Sequence, residues 1–403
     1  MRQLDVMSYR RVNEAFRRRM VCRIGVDCGL FVEINYMVNA MLYCLARRIR
    51  FQLYSDDANF GTGEGWTEYF LPFCEEVHES FHRQYNFHRP PSWQRILRLC
   101  RRQKAIGPMV WKLKAIQKTV MGHLMACLTY KEYVLLGQDV SDNPDHYYRI
   151  PELGFDADYT EKYGLLARMV FRFNPSMQRQ ATLVKSRLSI PALYDGIHIR
   201  GGDKITETDL ISGKRVMKVL NPKAGACVFV LTDDYRQYQE LQTNYPYVHF
   251  LTLCQPEERG YLHKAFIQKS SQSRQESIIR LLISVDLLLH SRSFVGSITT
   301  GPSAFVLKQR AADPHVQAVD CPKEDLSSSL SLTIDLRAAI SKKNLKEQES
   351  IRLGCFKSNA YLCSNYTPHG QRYKPSDGAL AGHIRRGLLE ECEAEETTLS
   401  IKK

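Results

Sequence analysis

Between about residue 190 and residue 320, short apolar runs alternate with amphipathic stretches, and this alternation narrows the possible folds more than any other feature of the chain. The runs at 194–200, 227–231, 247–253, 293–296 and 316–319 have the length and composition of strands. Between them, 235–243 and 273–290 carry helical spacing, and Thr299-Thr300-Gly301-Pro302 has the form of a helix start. A strand–helix–strand rhythm predicts a parallel sheet with helices on both faces. In such a sheet, ligands bind beyond the carboxyl ends of the strands.

Three polar clusters fall at such ends. They are His198-Ile-Arg200-Gly201-Gly202-Asp203-Lys204, then Thr232-Asp233-Asp234, then Ser297-Ile-Thr299-Thr300-Gly301. The first supplies cations and two glycines within seven residues. A pyrophosphate needs both positive charge and backbone close enough to donate N–H bonds. The third places hydroxyls and a glycine at a helix N-terminus, a second anion-binding device. Taken singly, an Arg-Gly-Gly is a turn and a Thr-Thr is an N-cap. Three at successive strand ends predict a nucleotide-diphosphate pocket.

The chain has 403 residues, which exceeds what one hydrophobic core serves, so two domains are expected. Residues 1–20 are polar and basic and read as a helix or loose arm. A strand at 21–26, a helix at 31–48 and a strand at 51–54 follow, then a glycine-containing loop at 55–65. Residues 92–137 are helix-rich, and 161–187 read as helix interrupted near Asn174-Pro175. The predicted organisation is a basic arm at 1–20, a helix-rich α/β domain at 21–188, a Rossmann-like domain at 189–330 and a peripheral tail at 331–403.

The formal net charge of +13 suits an anionic ligand. The basic runs at 10–19 and 95–118 lack the interleaved aromatics of a base-stacking platform, and no nucleic-acid module is recognisable, so nucleic acid is not an expected partner. The 12 cysteines include no CxxC pair and no Cys/His cluster of zinc spacing. No stretch reaches the roughly 18 apolar residues of a transmembrane helix. The expectation is a cytoplasmic chain, or a Golgi-luminal one if the sequence is a fragment of a longer anchored protein.

YDGIHIRGGDK at 194–204 resembles the HVRRTDK-type motif of the α1,6-fucosyltransferase family, which includes the core N-glycan and rhizobial nodulation enzymes. FVLTDD at 229–234 is similar to that family's strand ending in TDD. Residues 278–301 resemble its helix with an inward Asp, here Asp286, followed by a strand and a Ser/Thr-rich turn. Cys28-Gly29 and GWTEYFLP at 65–72 are similar to its N-terminal segments. The resemblance covers roughly 21–80 and 190–310.

The resemblance implies a GT-B-like α/β fold of two Rossmann-like halves, with the donor in the C-terminal half. It implies an inverting transfer of fucose from GDP-fucose to a glycan acceptor, without an essential metal. His198 and Arg200 would contact the diphosphate, with Arg200 offsetting charge on the leaving GDP. Gly201, Asp203, Asp233 and Asp234 would belong to the donor site, and Asp286 would face the guanine or ribose. Ser297, Thr299 and Thr300 would line the phosphate side, and Gly29 would close over the donor from the other domain. Glu207 would be the base that takes the acceptor proton, with Lys204 tuning it and Asp209 in reserve. Two departures stand out: Gly201 replaces the family's second arginine, and Glu207 lies one residue nearer Lys204 than the family pattern.

Other candidates are read as structural. Asp156-Ala-Asp158 is a DxD, the metal motif of a different transferase fold, and here suits an Asx turn or helix cap. His123, His249, His263 and His290 lack a Ser or Cys partner at recognisable spacing, and Trp66 and Tyr69 suit a core.

Overall fold

The computed structural model describes residues 4–25, 29–85, 106–134, 150–155, 159–202 and 211–320. Two parallel sheets, each flanked by helices, make an α/β architecture of two halves, as the sequence predicts.

The N-terminal half starts with α1 (Val6–Glu14), whose N-cap Asp5 accepts the Ser8 N–H at 2.9 Å. Val6, Tyr9 and Asn13 share one face of α1 and are buried. The Asn13 amide both donates to the Phe51 carbonyl (2.9 Å) and accepts the Phe51 N–H (2.8 Å). Much of the expected arm is therefore part of the fold, because its apolar residues recur at helical spacing. Strands β1 (Arg18–Arg23), β2 (Ile49–Tyr54) and β3 (Glu75–Glu76) form a parallel sheet in that order. β1 begins earlier than its apolar run because Arg18 and Arg19 pair with Ile49 and Arg50.

Alternation along β1 and β2 splits the packing. Met20, Cys22, Phe51 and Leu53 face α2 (Leu30–Ala46), whereas Val21 and Tyr54 face α3 (Ser80–Tyr85) and α4 (Ile106–Thr129). A 3-10 turn at Gly65–Glu68 feeds Trp66 into the core, where it stacks on Phe70 at 4.3 Å and meets Phe73 edge-on at 5.6 Å. Position 65 must be glycine: its φ is +62°, and a Cβ there would lie 2.3 Å from Ser55 Oγ. Helices α5 (Tyr159–Val170) and α6 (Pro175–Arg187) complete this half, with Asn174 capping α6 through the Met177 N–H.

The C-terminal half runs β4 (Asp195–Ile199), α7 (Gly213–Leu220), β5 (Cys227–Thr232), α8 (Tyr235–Asn244), β6 (His249–Thr252), α9 (His263–Gln268), α10 (Ser271–His290), β7 (Phe294–Gly296), α11 (Gly301–Gln309) and β8 (Val316–Ala318). Its five strands are parallel in the order β6-β5-β4-β7-β8. The chain winds outward from β4 to β5 and β6, then returns to β7 on the other side. The switch point therefore lies between β4 and β7, where a crevice opens at the carboxyl ends. One sheet face packs Ile197, Ile199, Val228 and Val230 on Val216, Met217 and Leu241, and the other turns Phe229 and Leu231 toward the larger core that includes α10.

Candidate functional site

The site grows from the switch point. His198 and Gly196 lie on the same face of β4. A Cβ at Gly196 would sit 2.7 Å from Leu288 Cδ2, so glycine lets α10 close on the strand. Two residues on, the same face delivers His198 to the start of α11. Its Nδ1 lies 2.6 Å from Ser303 Oγ and 3.3 Å from Thr300 Oγ1. Burial, and secondarily the Arg200 charge, hold the His198 pKa down at about 3, so the ring is a neutral hydrogen-bonding group near neutral pH.

Arg200 stands just past β4. Its guanidinium pairs with Asp233 and lies 5.0 Å from the Tyr261 ring centroid, within cation–π range. Asp233 ties three segments together. Its carboxylate accepts the Gly201 N–H at 2.6 Å and the Tyr261 N–H at 2.8 Å, and its carbonyl accepts the Gly260 N–H at 2.7 Å. Gly202 has φ +63°, and a Cβ there would lie 2.2 Å from the Tyr261 carbonyl oxygen. Gly202 thus serves close approach to Gly260-Tyr261, while the Gly201 N–H is committed to Asp233.

Asp234 diverges from Asp233. It caps α8, accepting the Arg236 N–H at 3.0 Å, and binds the Arg236 guanidinium at 3.0 and 2.6 Å. Those bonds to Arg236 hold its carboxyl below the usual carboxylate range. Its carboxylate caps α8, while a Cβ at Gly201 would lie 3.4 Å from Asp234 Cβ, so the residue borders the cluster.

The turn after β7 is organised by Asp320. Ser297 Oγ donates to its Oδ2 at 2.6 Å, and the Ile298 N–H donates to its Oδ1 at 2.9 Å. Thr299 Oγ1 lies 2.5 Å from Ser297 Oγ. The hydroxyls of Ser297 and Thr299 therefore hold the turn itself. Thr300 is the N-cap residue of α11, but its hydroxyl bonds the Ser297 carbonyl at 3.2 Å and reaches toward His198, leaving the first turn of α11 without a side-chain cap from it.

Gly29 plays the matching part in the other half. It is the N-cap of α2, makes no side-chain cap, and faces open space where a Cβ would be. A Cβ at Gly301 would lie 3.3 Å from both Phe31 Cβ and the Val32 nitrogen, so the two helix starts touch. Phe31 and Phe305 lock the contact, with ring centroids 5.1 Å apart. Two positive helix ends, one from each half, converge beside His198.

Asp286 is not part of this cluster. α10 runs antiparallel to the strands, so its last turn lies at the amino end of β4, where the Tyr194 hydroxyl donates to the Leu287 carbonyl at 2.8 Å. There Asp286 accepts a 2.7 Å bond from Lys185 Nζ and lies 3.4 Å from His290 Nδ1. The ion pairs give it a structural role and correct the expectation that it faces a base or ribose. Asp203, Lys204, Glu207 and Asp209, like Asp156 and Asp158, lie outside the described residues.

Tyr261, Ser303 and Asp320 complete the site and were not singled out from sequence. Tyr261 is 28 positions beyond Asp233 in a loop without motif character, and Asp320 follows the last strand. Among the described residues, no group of three or more His, Cys, Asp or Glu side chains is placed to hold a metal ion, and no helix is long and apolar enough to cross a membrane.

No protein-family model and no curated protein matches the sequence. The chain is similar to a number of solved structures, among them the following. Fucosyltransferase NodZ from Bradyrhizobium is 11% identical over 74% of this chain and 94% of that one, with a TM-score of 0.42. A variant of Arabidopsis thaliana FUT1 in complex with GDP is 10% identical over 77% of this chain and 74% of that one, with a TM-score of 0.41. POFUT1 in complex with GDP is 12% identical over 75% of this chain and 98% of that one, with a TM-score of 0.38.

Proposed function

We propose that the chain is an inverting glycosyltransferase that moves fucose from GDP-fucose to a hydroxyl of a glycan acceptor, in an α1,6 linkage and without an essential metal. The observation that carries the reading is the meeting of the α2 and α11 N-termini, where Gly301 packs on Phe31 and Val32, with His198 of β4 against the start of α11 and Arg200 two positions further along the chain. Helix ends and a guanidinium are what a diphosphate requires. The choice of GDP and fucose rests on the resemblance of 194–204, 229–234 and 65–72 to the α1,6-fucosyltransferases.

In this reading the acceptor oxygen attacks the anomeric carbon as the bond to the β-phosphate oxygen breaks. Arg200 and the helix ends offset the charge that gathers on departing GDP. The neutral His198 holds the start of α11 in place through Ser303 and Thr300. The acceptor proton passes to Glu207, with Lys204 beside it and Asp209 in reserve.

One observation favours a second reading, a GDP-sugar-binding protein without turnover. Gly201 leaves the motif with one guanidinium, and Asp233 occupies both that group and the Gly201 N–H. Thermal unfolding with GDP, UDP and ADP in parallel tests the donor class. A ligand at about 100 times its Kd adds roughly 2.7 kcal/mol, so a rise with GDP alone is expected. A larger rise with UDP, or none with GDP, removes both readings; GDP binding without sugar transfer leaves the second.

A further inference from the structure

α4 carries large apolar side chains on the side turned away from the sheet. Leu113, Val120, Leu124 and Leu128 are 53%, 44%, 49% and 73% exposed. At the helical repeat they fall within about 80° of arc and run about 23 Å along the helix. The opposite face is the packed one: Ala126 is fully buried, and a Cβ at Gly122 would lie 3.0 Å from Tyr85 Cβ. Single exposed leucines are ordinary, whereas a stripe of them on one helix face marks an interaction surface.

The stripe lies in basic surroundings. Between Glu79 and Glu132 the sequence has eleven lysines and arginines and no aspartate or glutamate. Lys112 and Lys114 occupy helix positions on either side of the stripe, and Lys118 is exposed on the side of Lys114. The fold adds the second basic run of the sequence. The chain leaving α4 pairs with β1, an edge strand: the Arg19 N–H donates to the Glu132 carbonyl at 3.1 Å, and the Val134 N–H to the Arg19 carbonyl at 2.8 Å. Arg19 shares a sheet face with Val21, which packs on α4, and its guanidinium lies 6.0 Å from the Tyr130 ring centroid. Arg17 and Arg18 beside it are exposed. Carboxylates stand at the two ends of this face, Asp56, Asp57, Glu76 and Glu79 at the carboxyl edge of the sheet and Glu14 and Glu132 near Arg19, but none lies on α4.

We propose that α4 and the adjoining arginines form a docking face for an anionic lipid surface. The helix lies in the plane of the interface, with Leu113, Val120, Leu124 and Leu128 entering the acyl boundary and the cations meeting the headgroups. Interfacial helices combine an apolar stripe with flanking lysines in this way, and each cation near the surface adds to binding. Other occupants fit less well. Nucleic acid makes its contacts through phosphates and has no use for exposed leucines. A second copy would bring like charges together. Residues 388–396 of the same chain carry the opposite charge, with five glutamates, but Leu388 and Leu389 are the only large apolar residues there, too few to cover the stripe.

The test is flotation of the full chain with vesicles of phosphatidylcholine alone and of phosphatidylcholine and phosphatidylserine mixed at about 7:3. The wild type is expected to float with the mixed vesicles and not with the neutral ones. Leu124→Glu/Leu128→Glu is expected to weaken lipid binding about a hundredfold or more. Lys118→Glu is expected to weaken it about fivefold. Leu193→Glu, at a 70% exposed leucine outside the stripe, is expected to bind as the wild type does. Every substituted position is exposed, so the melting temperature is expected to stay unchanged and certifies the fold of each variant. Failure of the wild type to float overturns the proposal and leaves residues 388–396 or a second copy as the cover of the stripe. Equal flotation with both vesicle types, or undiminished flotation of Leu124→Glu/Leu128→Glu, overturns it as well. So does an equal loss in Leu193→Glu, since the stripe would then have no special part.

Discussion

At the residue scale, Arg200 and Asp233 are the decisive pair. No second motif arginine backs up Arg200, and a hydrogen bond to a charged group contributes about 1.5–3 kcal/mol. Arg200→Ala is therefore expected to weaken GDP binding roughly 10- to 150-fold and to abolish transfer, as read by calorimetry and by GDP release. Wild-type affinity in that variant would remove Arg200 from the donor site. The base is tested separately. Glu207→Gln is expected to leave GDP affinity unchanged and to slow turnover about a hundredfold or more, the scale of a lost general base. If Asp209→Asn has that effect and Glu207→Gln does not, the assignment moves to Asp209.

At the element scale, the first residues after β4, 200–202, take their path because Gly202 lies against Gly260-Tyr261 and Gly201 against Asp233. The two positions are unequal. Gly202 combines φ +63° with a 2.2 Å approach to a backbone oxygen, whereas a Cβ at Gly201 would meet Asp233 Oδ1 at 3.2 Å. Gly202→Ala is expected to lower the urea midpoint markedly, since the left-handed backbone alone costs about 1–2 kcal/mol for a residue with a Cβ. Gly201→Ala is expected to cost much less; equal losses would show that the close approach does not constrain the loop. The same contrast explains what the sequence could reveal. Strand and helix periodicity placed β4, β5 and α10, and Asn174-Pro175 marked the break between α5 and α6, because those signals are local. Placing Asp286 near a ligand required knowing which end of the helix meets which end of the sheet. The helical pattern of 273–290 shows that α10 exists but not that its last turn sits at the amino end of β4. Tyr261 and Asp320 were hidden for a related reason: their roles arise from contacts across 28 and 23 residues, with no periodic pattern to mark them.

At the scale of the whole molecule, buried neutral histidines in both halves couple stability to pH. His82 in the N-terminal half and His198 in the C-terminal half are held at about 3 by burial, against an ordinary value of 6.5. As pH falls through 6.5 the unfolded chain binds protons that the folded chain refuses, so stability is lost from there down to about pH 3. Asp234 and Asp313, with lowered values, add losses of the same sign only below their ordinary 3.8. Glu76 and Asp320 are raised by burial and act in the opposite sense above their ordinary 4.5 and 3.8. Between pH 7 and pH 5 the proton uptake of each histidine is expected to cost about 2 kcal/mol. Urea unfolding at the two pH values should show that fall, and His82→Gln should reduce it by about one histidine's share. The reduction should appear in the N-terminal half, where His82 bonds Arg23 and Tyr130. An unchanged pH dependence in His82→Gln would mean that this ring takes up its proton in the folded state, which would break the bond its Nδ1 accepts from the Arg23 Nε–H.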